Sequence, residues 1–212
     1  MARRCSVYQL RATERQVVSR GVYRTERLRL VPIGAQHASQ VWEIHQDEGI
    51  ARWYAGRWSK EQALRFAKAM EQAWRDRGVG KWLAYADSTS APIGRGGLSL
   101  AVVDGTECAD LGWALRQAVW GHGYATEIGR AGLDYAFSVL GVDQVVSFTE
   151  IHNARSRAVM ERLGMRYVRQ ILRPGLIAGS ADVHEAAPFA LYRITRPQLL
   201  VTRQRAMASS GR

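Results

Sequence analysis

No stretch of this 212-residue chain approaches the roughly eighteen consecutive apolar residues that a membrane-spanning helix needs. Behind the opening Met1-Ala2-Arg3-Arg4-Cys5 no apolar run follows, so no secretory signal is expected. Cysteine is scarce: Cys5 and Cys108 lie far apart without ligand-like spacing, which argues against a disulfide framework or a zinc site and fits a reducing cytoplasm. Internal repeats, heptads and low-complexity tracts are absent as well, so solenoids and coiled coils drop out.

What is present is ordinary in bulk, with 47% hydrophobic and 23% charged residues, enough for one domain with a real core. The charge is less ordinary. A net +11 and a pI near 10.3 suit a partner that carries phosphates, either nucleic acid or a phosphorylated cofactor. Much of the excess sits at the ends, however. Arg3, Arg4, Arg11, Arg15, Arg20 and Arg24 crowd residues 1–24, and Arg203, Arg205 and Arg212 close the chain. The expected organisation is a poorly ordered basic extension over 1–24, a domain over 25–198 and a tail over 199–212. Ribosome or RNA contact by the extension is the functional alternative to a solvated tail.

Periodicity supplies the elements. Arg27–Ile33 alternates polar and apolar residues and reads as a strand; Ala35–Gln46 reads as a helix. Ser59-Lys60-Glu61-Gln62 has the form of a capping box, and the helix behind it should run until Gly78. Lys81–Ala86 reads as a strand, followed by turn residues Asp87 to Pro92. Ile93–Val103 and Thr106–Leu115 form two strands around Asp104-Gly105, a hairpin turn in which both positions need positive φ. A helix through Ala125, Ile128, Gly132, Tyr135 and Val139 should close at Gly141. Then come a strand over Val142–Glu150, a helix over Asn153–Leu163, and strands Tyr167–Leu172 and Pro188–Ile194 around a Gly-rich loop from Pro174 to Ser180. The expected fold is therefore mixed α/β, with a hairpin before the central helix and a crossover helix after it.

The segment Trp120-Gly121-His122-Gly123-Tyr124-Ala125-Thr126-Glu127 falls between a strand and a helix. Its two glycines permit a tight turn and let an anion approach the amides. The first-turn N–H groups of the helix have no intrahelical partner and the dipole adds positive potential, so a pyrophosphate is the expected occupant. A dinucleotide fold uses the same physics, but its third glycine is replaced here by Thr126 and the preceding strand belongs to a hairpin.

The same segment resembles motif A of the GNAT superfamily of N-acetyltransferases, Q/R-x-x-G-x-G/A, with Trp120, Gly123 and Ala125 in its fixed slots. Trp in the first slot is similar to the RimJ/RimL-like branch, as are Asp110-Leu111-Gly112-Trp113, Asn153-Ala154-Arg155-Ser156, Val159-Met160-Glu161-Arg162-Leu163-Gly164-Met165 and the opening Thr25-Glu26-Arg27-Leu28-Arg29-Leu30. The resemblance runs from about Thr25 to about Leu199. It implies a mostly antiparallel sheet of six to seven strands, splayed at a central bulge and flanked by about four helices. It also implies acetyl-CoA as cofactor and an amine as acceptor, an N-terminal α-amine of ribosomal-protein type or a small amine.

By that resemblance Trp113, Ala114 and Leu115 flank the pantetheine arm, and the Leu115 amide polarises the thioester carbonyl. Trp120, Gly121, His122, Gly123, Tyr124, Ala125 and Thr126 form the pyrophosphate loop. Asn153 hydrogen-bonds the pantetheine or acyl end, and Arg155 or Arg157 reaches the ribose phosphate, unless each is a solvated helix-face charge. Asp110 is the first candidate base and Glu150 the second, against surface or cap roles. The helix after Asn153 lacks the family's general-acid Tyr and has Met160 in that region; Ser156 is the natural substitute, unless it only caps its helix. Trp53, Tyr54, Trp58 and Trp82 are candidates for the acceptor pocket, with a core role as the alternative. His122 and His152 find no third ligand, so no metal is expected. The non-catalytic alternative is a GNAT-fold module that senses acyl-CoA or docks on RNA or the ribosome, and a homodimer is the oligomeric option.

Overall fold

The computed structural model describes residues 21–87, 89–180, 182–199 and 202. Eight strands form one sheet in the order β1-β2-β3-β4-β5-β6-β8-β7. They are β1 (Tyr23–Arg24), β2 (Leu28–Pro32), β3 (Lys81–Ala86), β4 (Gly94–Val103), β5 (Thr106–Leu115), β6 (Gln144–Glu150), β7 (Arg166–Leu176) and β8 (Val183–Thr195). All neighbours pair antiparallel except β5 and β6. A parallel pair needs a crossover helix, supplied here by α4 (Tyr124–Asp134). The other helices are α1 (Ala38–Ile44), α2 (Glu48–Ala51), α3 (Lys60–Arg77) and α5 (Ala154–Arg162). No helix among the described residues is long and apolar enough to cross a membrane.

Local chemistry explains most of these boundaries. Ser59 Oγ accepts from the Gln62 amide at 3.2 Å, while Gln62 Oε1 accepts from the Ser59 amide at 2.7 Å, so the capping box starts α3 as expected. Gly78, in the left-handed region at φ 63°, ends it. Asp104 and Gly105 both take positive φ, at 52° and 71°, and the β4–β5 hairpin closes on Val103↔Thr106.

Two elements differ from the expectation. The last hairpin is longer, because β7 and β8 run through Pro174 and Gly175 on one side and from Val183 on the other. A register shift between Arg173 and Gly175 absorbs the proline on what is an edge strand, where a missing N–H costs little. An eighth strand arises because Tyr23 and Arg24, at the end of the expected extension, pair with Leu30 and Arg29. Residues 1–20, the bulk of that extension, lie outside the described residues, as does the tail apart from Leu199 and Thr202.

Two cores sandwich the sheet. One face packs against α4 and α5 through Leu98, Leu111, Ile128, Leu133 and Met160; the other packs against α1–α3 through Ile33, Val41, Ile44, Ala63 and Leu83. Glycine lets α4 come close: a Cβ on Gly96 would stand 2.5 Å from Ile128 Cγ2, and one on Gly132 the same distance from Leu111 Cδ1.

Candidate active site

β5 and β6 stay paired for two residues only, Ala109↔Val145 and Asp110↔Val146. Beyond Asp110 they part, β5 running on to Leu115 and β6 to Glu150. The first link past the split is a side chain, with Ser147 Oγ donating to Leu111 O at 2.7 Å. The Arg116 amide donates to Ile93 O at 2.9 Å, so the even-numbered residues of β5 face β4 and the odd-numbered ones face the gap. Trp113 and Leu115 therefore turn their N–H groups toward an opening where no strand receives them. Leu115 O, on the same side, is held by the Trp120 indole N–H at 2.9 Å.

The opening is part of a cleft of ≈ 1560 Å³. At one end lies the Gly121–Thr126 loop. Gly121 and Gly123 take φ 83° and 82°, and a Cβ on Gly121 would meet nothing within 4 Å. The first bond of α4 is Glu127 N–H to Gly123 O at 3.1 Å, which leaves the amides of Tyr124, Ala125 and Thr126 without helical partners. The Thr126 hydroxyl is buried in the same wall and has no partner among the described residues. An orphaned buried hydroxyl beside three orphaned amides fits a phosphate-bearing cofactor.

The loop is clamped from outside. Glu127 accepts from Thr25 Oγ1 at 2.6 Å and from the Arg27 amide at 2.9 Å, and Arg27 Nε lies 2.8 Å from its second oxygen. Arg27 Nη1 also donates to His122 O at 3.1 Å. Burial alone would raise the Glu127 carboxyl, but Thr25 and Arg27 outweigh it and hold it below the ordinary carboxylate range.

Asp110 stands where the strands part. Its Oδ2 accepts from Ser99 Oγ at 3.0 Å and lies 4.0 Å from Lys81 Nζ. Burial raises the Asp110 carboxyl above its ordinary value, opposed by the Lys81 ammonium and the Ser99 hydroxyl. Across the cleft, Glu150 is buried and accepts from its neighbour Thr149 Oγ1 at 3.3 Å. Asn153 caps α5, its Oδ1 accepting from the Ser156 amide at 3.1 Å. The cap is thus Asn153 rather than Ser156, which leaves the Ser156 hydroxyl on the cleft wall.

The remaining sequence candidates divide clearly. Trp113, Ala114, Leu115, Trp120, Tyr124, Ala125, Arg155, Trp53, Tyr54 and Trp58 line the cleft. The Arg155 guanidinium lies 4.3 Å from the Trp120 ring centroid, bracing the loop. His122 points away, its Nδ1 3.0 Å from Trp120 O, and only its backbone belongs to the loop. Arg157 is turned to the Tyr192 hydroxyl and Ile151 O, away from the cleft. Trp82 is a core residue, 2% exposed and packed on Tyr23, Trp74 and Tyr135. Its neighbour Lys81 takes the opposite face of β3 and enters the cleft instead.

Lys81 and Arg95, which line the cleft, and His45, buried behind Arg95, escaped the sequence reading. Each reads as a routine polar residue, and only pairing and burial reveal it. Lys81 Nζ donates to Gly97 O at 2.9 Å and lies over Gly112, where a Cβ would come within 3.3 Å of it. Burial pushes the Lys81 ammonium down from 10.5 to about 8, with Asp110 opposing. Between those values the unfolded chain holds a proton that the folded protein has shed, so ν_U exceeds ν_N and stability increases with pH. Relative to Lys81→Met, wild-type stability should therefore climb by roughly 3 kcal/mol across that window. Denaturant titrations at the two ends of the window measure the difference, and parallel profiles for the two proteins would rule it out.

Among the described residues no group of His, Cys, Asp and Glu side chains could hold a metal ion. Solved structures repeat this architecture. An acetyltransferase from Agrobacterium tumefaciens str. C58 superposes with TM-score 0.64 at 23% identity, covering 83% of this chain and 95% of the other. A ribosomal-protein-S5-alanine acetyltransferase from Vibrio fischeri gives TM-score 0.66 at 13% identity, covering 82% and 96%. In sequence, the FsC-acetyl coenzyme A-N(2)-transacetylase of Aspergillus fumigatus is 29% identical over 203 residues, 88% of this chain and 81% of its own. The acetyltransferase (GNAT) domain family matches residues 27–166. With its split β5–β6 pair and glycine-turned loop at the foot of α4, this chain belongs to that family of acetyl-CoA-dependent N-acetyltransferases.

Proposed function

We propose that this protein moves an acetyl group from acetyl-CoA to a primary amine by direct transfer in a ternary complex, the acceptor being a protein N-terminal α-amine or a small-molecule amine. The observation that carries this reading is the opening beside β5, edged by the Trp113 and Leu115 N–H groups and continuous with the loop cradle. Bound acetyl-CoA supplies the activated acyl group as a thioester. The amides from Gly121 to Thr126, with the Thr126 hydroxyl, hold the pyrophosphate, and Arg155 serves the ribose phosphate. Trp113, Ala114 and Leu115 receive the pantetheine arm as an added strand would be received. The Asn153 side-chain amide, its oxygen already committed to the cap, donates to the same arm.

Leu115 N–H donates to the carbonyl oxygen, where charge develops during transfer. Asp110 accepts the proton of the incoming amine, directly or through one water, with Glu150 as the alternative base. The raised pKa of Asp110 brings that carboxylate nearer the operating pH, as a general base requires. Ser156 Oγ serves the departing thiolate. Trp53, Tyr54 and Trp58 form the acceptor wall. An α-amine, with pKa about 7.7–8.0, needs less help from a base than a lysine-type amine near 10.4, which favours it as acceptor. The ribosomal-protein-S5-alanine acetyltransferase among the structural neighbours is a precedent for a protein acceptor, and the N(2)-transacetylase named above keeps other amines beside it.

Calorimetric titration with acetyl-CoA, with NADH as control, tests this reading. Micromolar acetyl-CoA binding with NADH silent is expected, followed by thiol release when amines and N-terminal peptides are added. Absence of acetyl-CoA binding would overturn it.

A further inference from the structure

Arg95 projects from β4 into the acceptor half of the cleft, yet it is only 4% exposed. Aromatic rings surround its guanidinium: Cζ lies 4.6 Å from the Phe66 centroid, 5.0 Å from Tyr54 and 5.6 Å from Trp58. Its Nε donates to His45 Nε2 at 3.1 Å. His45 is itself fully buried, stacked on Trp58 at 3.5 Å, and burial together with Arg95 keeps it neutral. It therefore fixes the guanidinium without neutralising it.

No described carboxylate stands within ion-pair distance of Arg95. Its two terminal nitrogens donate to no described residue, and neither is sealed from the cleft. An arginine cannot escape this by losing its proton, as Lys81 partly can. A desolvated, preoriented cation with two free donor nitrogens is a receptor for a planar or tetrahedral anion. The other buried cation among the described residues, Lys81, is already engaged by Gly97 O and Asp110.

Position limits the ligand. Arg95 faces Ala114 in the β4–β5 register, one residue from Leu115. An anion on Arg95 and an amine brought to the Leu115 amide thus occupy one cleft, with their backbone anchors on adjacent positions of the β4–β5 pair. We propose that the acceptor carries a carboxylate or phosphate close to its amine, and that the terminal nitrogens of Arg95 receive that group. This rests on the amine-acetylation reading above and narrows it to acid-bearing amines.

Matched acceptors test it: each of the common L-amino acids beside its carboxamide, and O-phosphoethanolamine beside ethanolamine. Thiol release reads turnover, and saturation-transfer NMR without cofactor reads retention. One or more acid members should exceed the neutral partner in kcat/KM by about 10- to 100-fold, the range of a charge-assisted hydrogen bond. Arg95→Gln should bring that ratio within about twofold of unity, and Arg95→Lys should restore part of it. Neutral partners that work as well as the acids in the wild type overturn the proposal without any variant. So does a preference for acids that survives Arg95→Gln. Acetyl-CoA binding with no acid member retained sinks the anion receptor alone. Acids retained with Arg95-dependent preference but never acetylated uphold the receptor and sink the transfer reading.

Discussion

Replacing Gly123 with valine is expected to raise the acetyl-CoA Kd by about 100-fold or more, since each charge-assisted bond lost from the cradle is worth roughly 1.5–3 kcal/mol. Gly123 caps α4 at φ 82°, a left-handed conformation that a β-branched residue adopts only with strain of about 1–3 kcal/mol. The strain will be relieved by turning the peptide, and with it the Tyr124, Ala125 and Thr126 amides that the cradle depends on. Gly105→Val is the matched control. It sits at φ 71° in the β4–β5 turn with nothing within 4 Å of a Cβ, so it carries similar strain away from the cleft. Calorimetry on both folded variants reads the outcome. Equal acetyl-CoA affinity in the Gly123 variant and the control would remove the loop from the cofactor site.

The second large effect is expected from Asp110→Asn. A positioned general base contributes about 10²- to 10⁴-fold, so kcat on a lysine-type amine should fall by that order, and by less on an α-amine that is partly neutral already. The pH profile carries more information than the rate. Burial raises Asp110, so the wild-type activity should fall with decreasing pH above the ordinary carboxylate range, and the variant should lack that limb. Lys81→Met should move the limb further up, because the ammonium that opposes the shift is gone. Glu150→Gln provides the contrast: a collapse there, with Asp110→Asn within a few-fold of wild type, would make Glu150 the base.

The mutual dependence of Lys81 and Asp110 also shows why the acceptor side was hard to read. The capping box at Ser59, the Asp104-Gly105 turn and the Gly121–Thr126 loop are each written in a few contiguous residues, and local backbone energetics decides them. Lys81–Ala86 was readable as a strand, but all six of its residues are buried, so no alternation marks which side chains face the cleft. Trp82 therefore stands in the sequence as a pocket candidate with a core role as its alternative, and Lys81 as a strand residue without an assigned role; the pleat puts Trp82 in the core and Lys81 in the cleft. The extent of the last hairpin was hidden for a similar reason. Pro174 and Gly175 are turn residues by local preference, and only pairing across to β8, with its register shift, keeps them in a strand.

By itself, the sequence determined the mixed α/β fold, the family and the glycine turn ahead of α4, because glycines, caps and turn dipeptides act over one helical turn or less. The tertiary structure alone decided which charges share the cleft and which neutral ring holds one of them in place. Lys81, Arg95 and Asp110 come from three strands, and His45 from the end of a helix. Their meeting depends on the register Lys81↔Gly97 and Ser99↔Asp110 and on the burial that denies them water. Burial and pairing are properties of the assembled sheet, and no short segment of the chain encodes them.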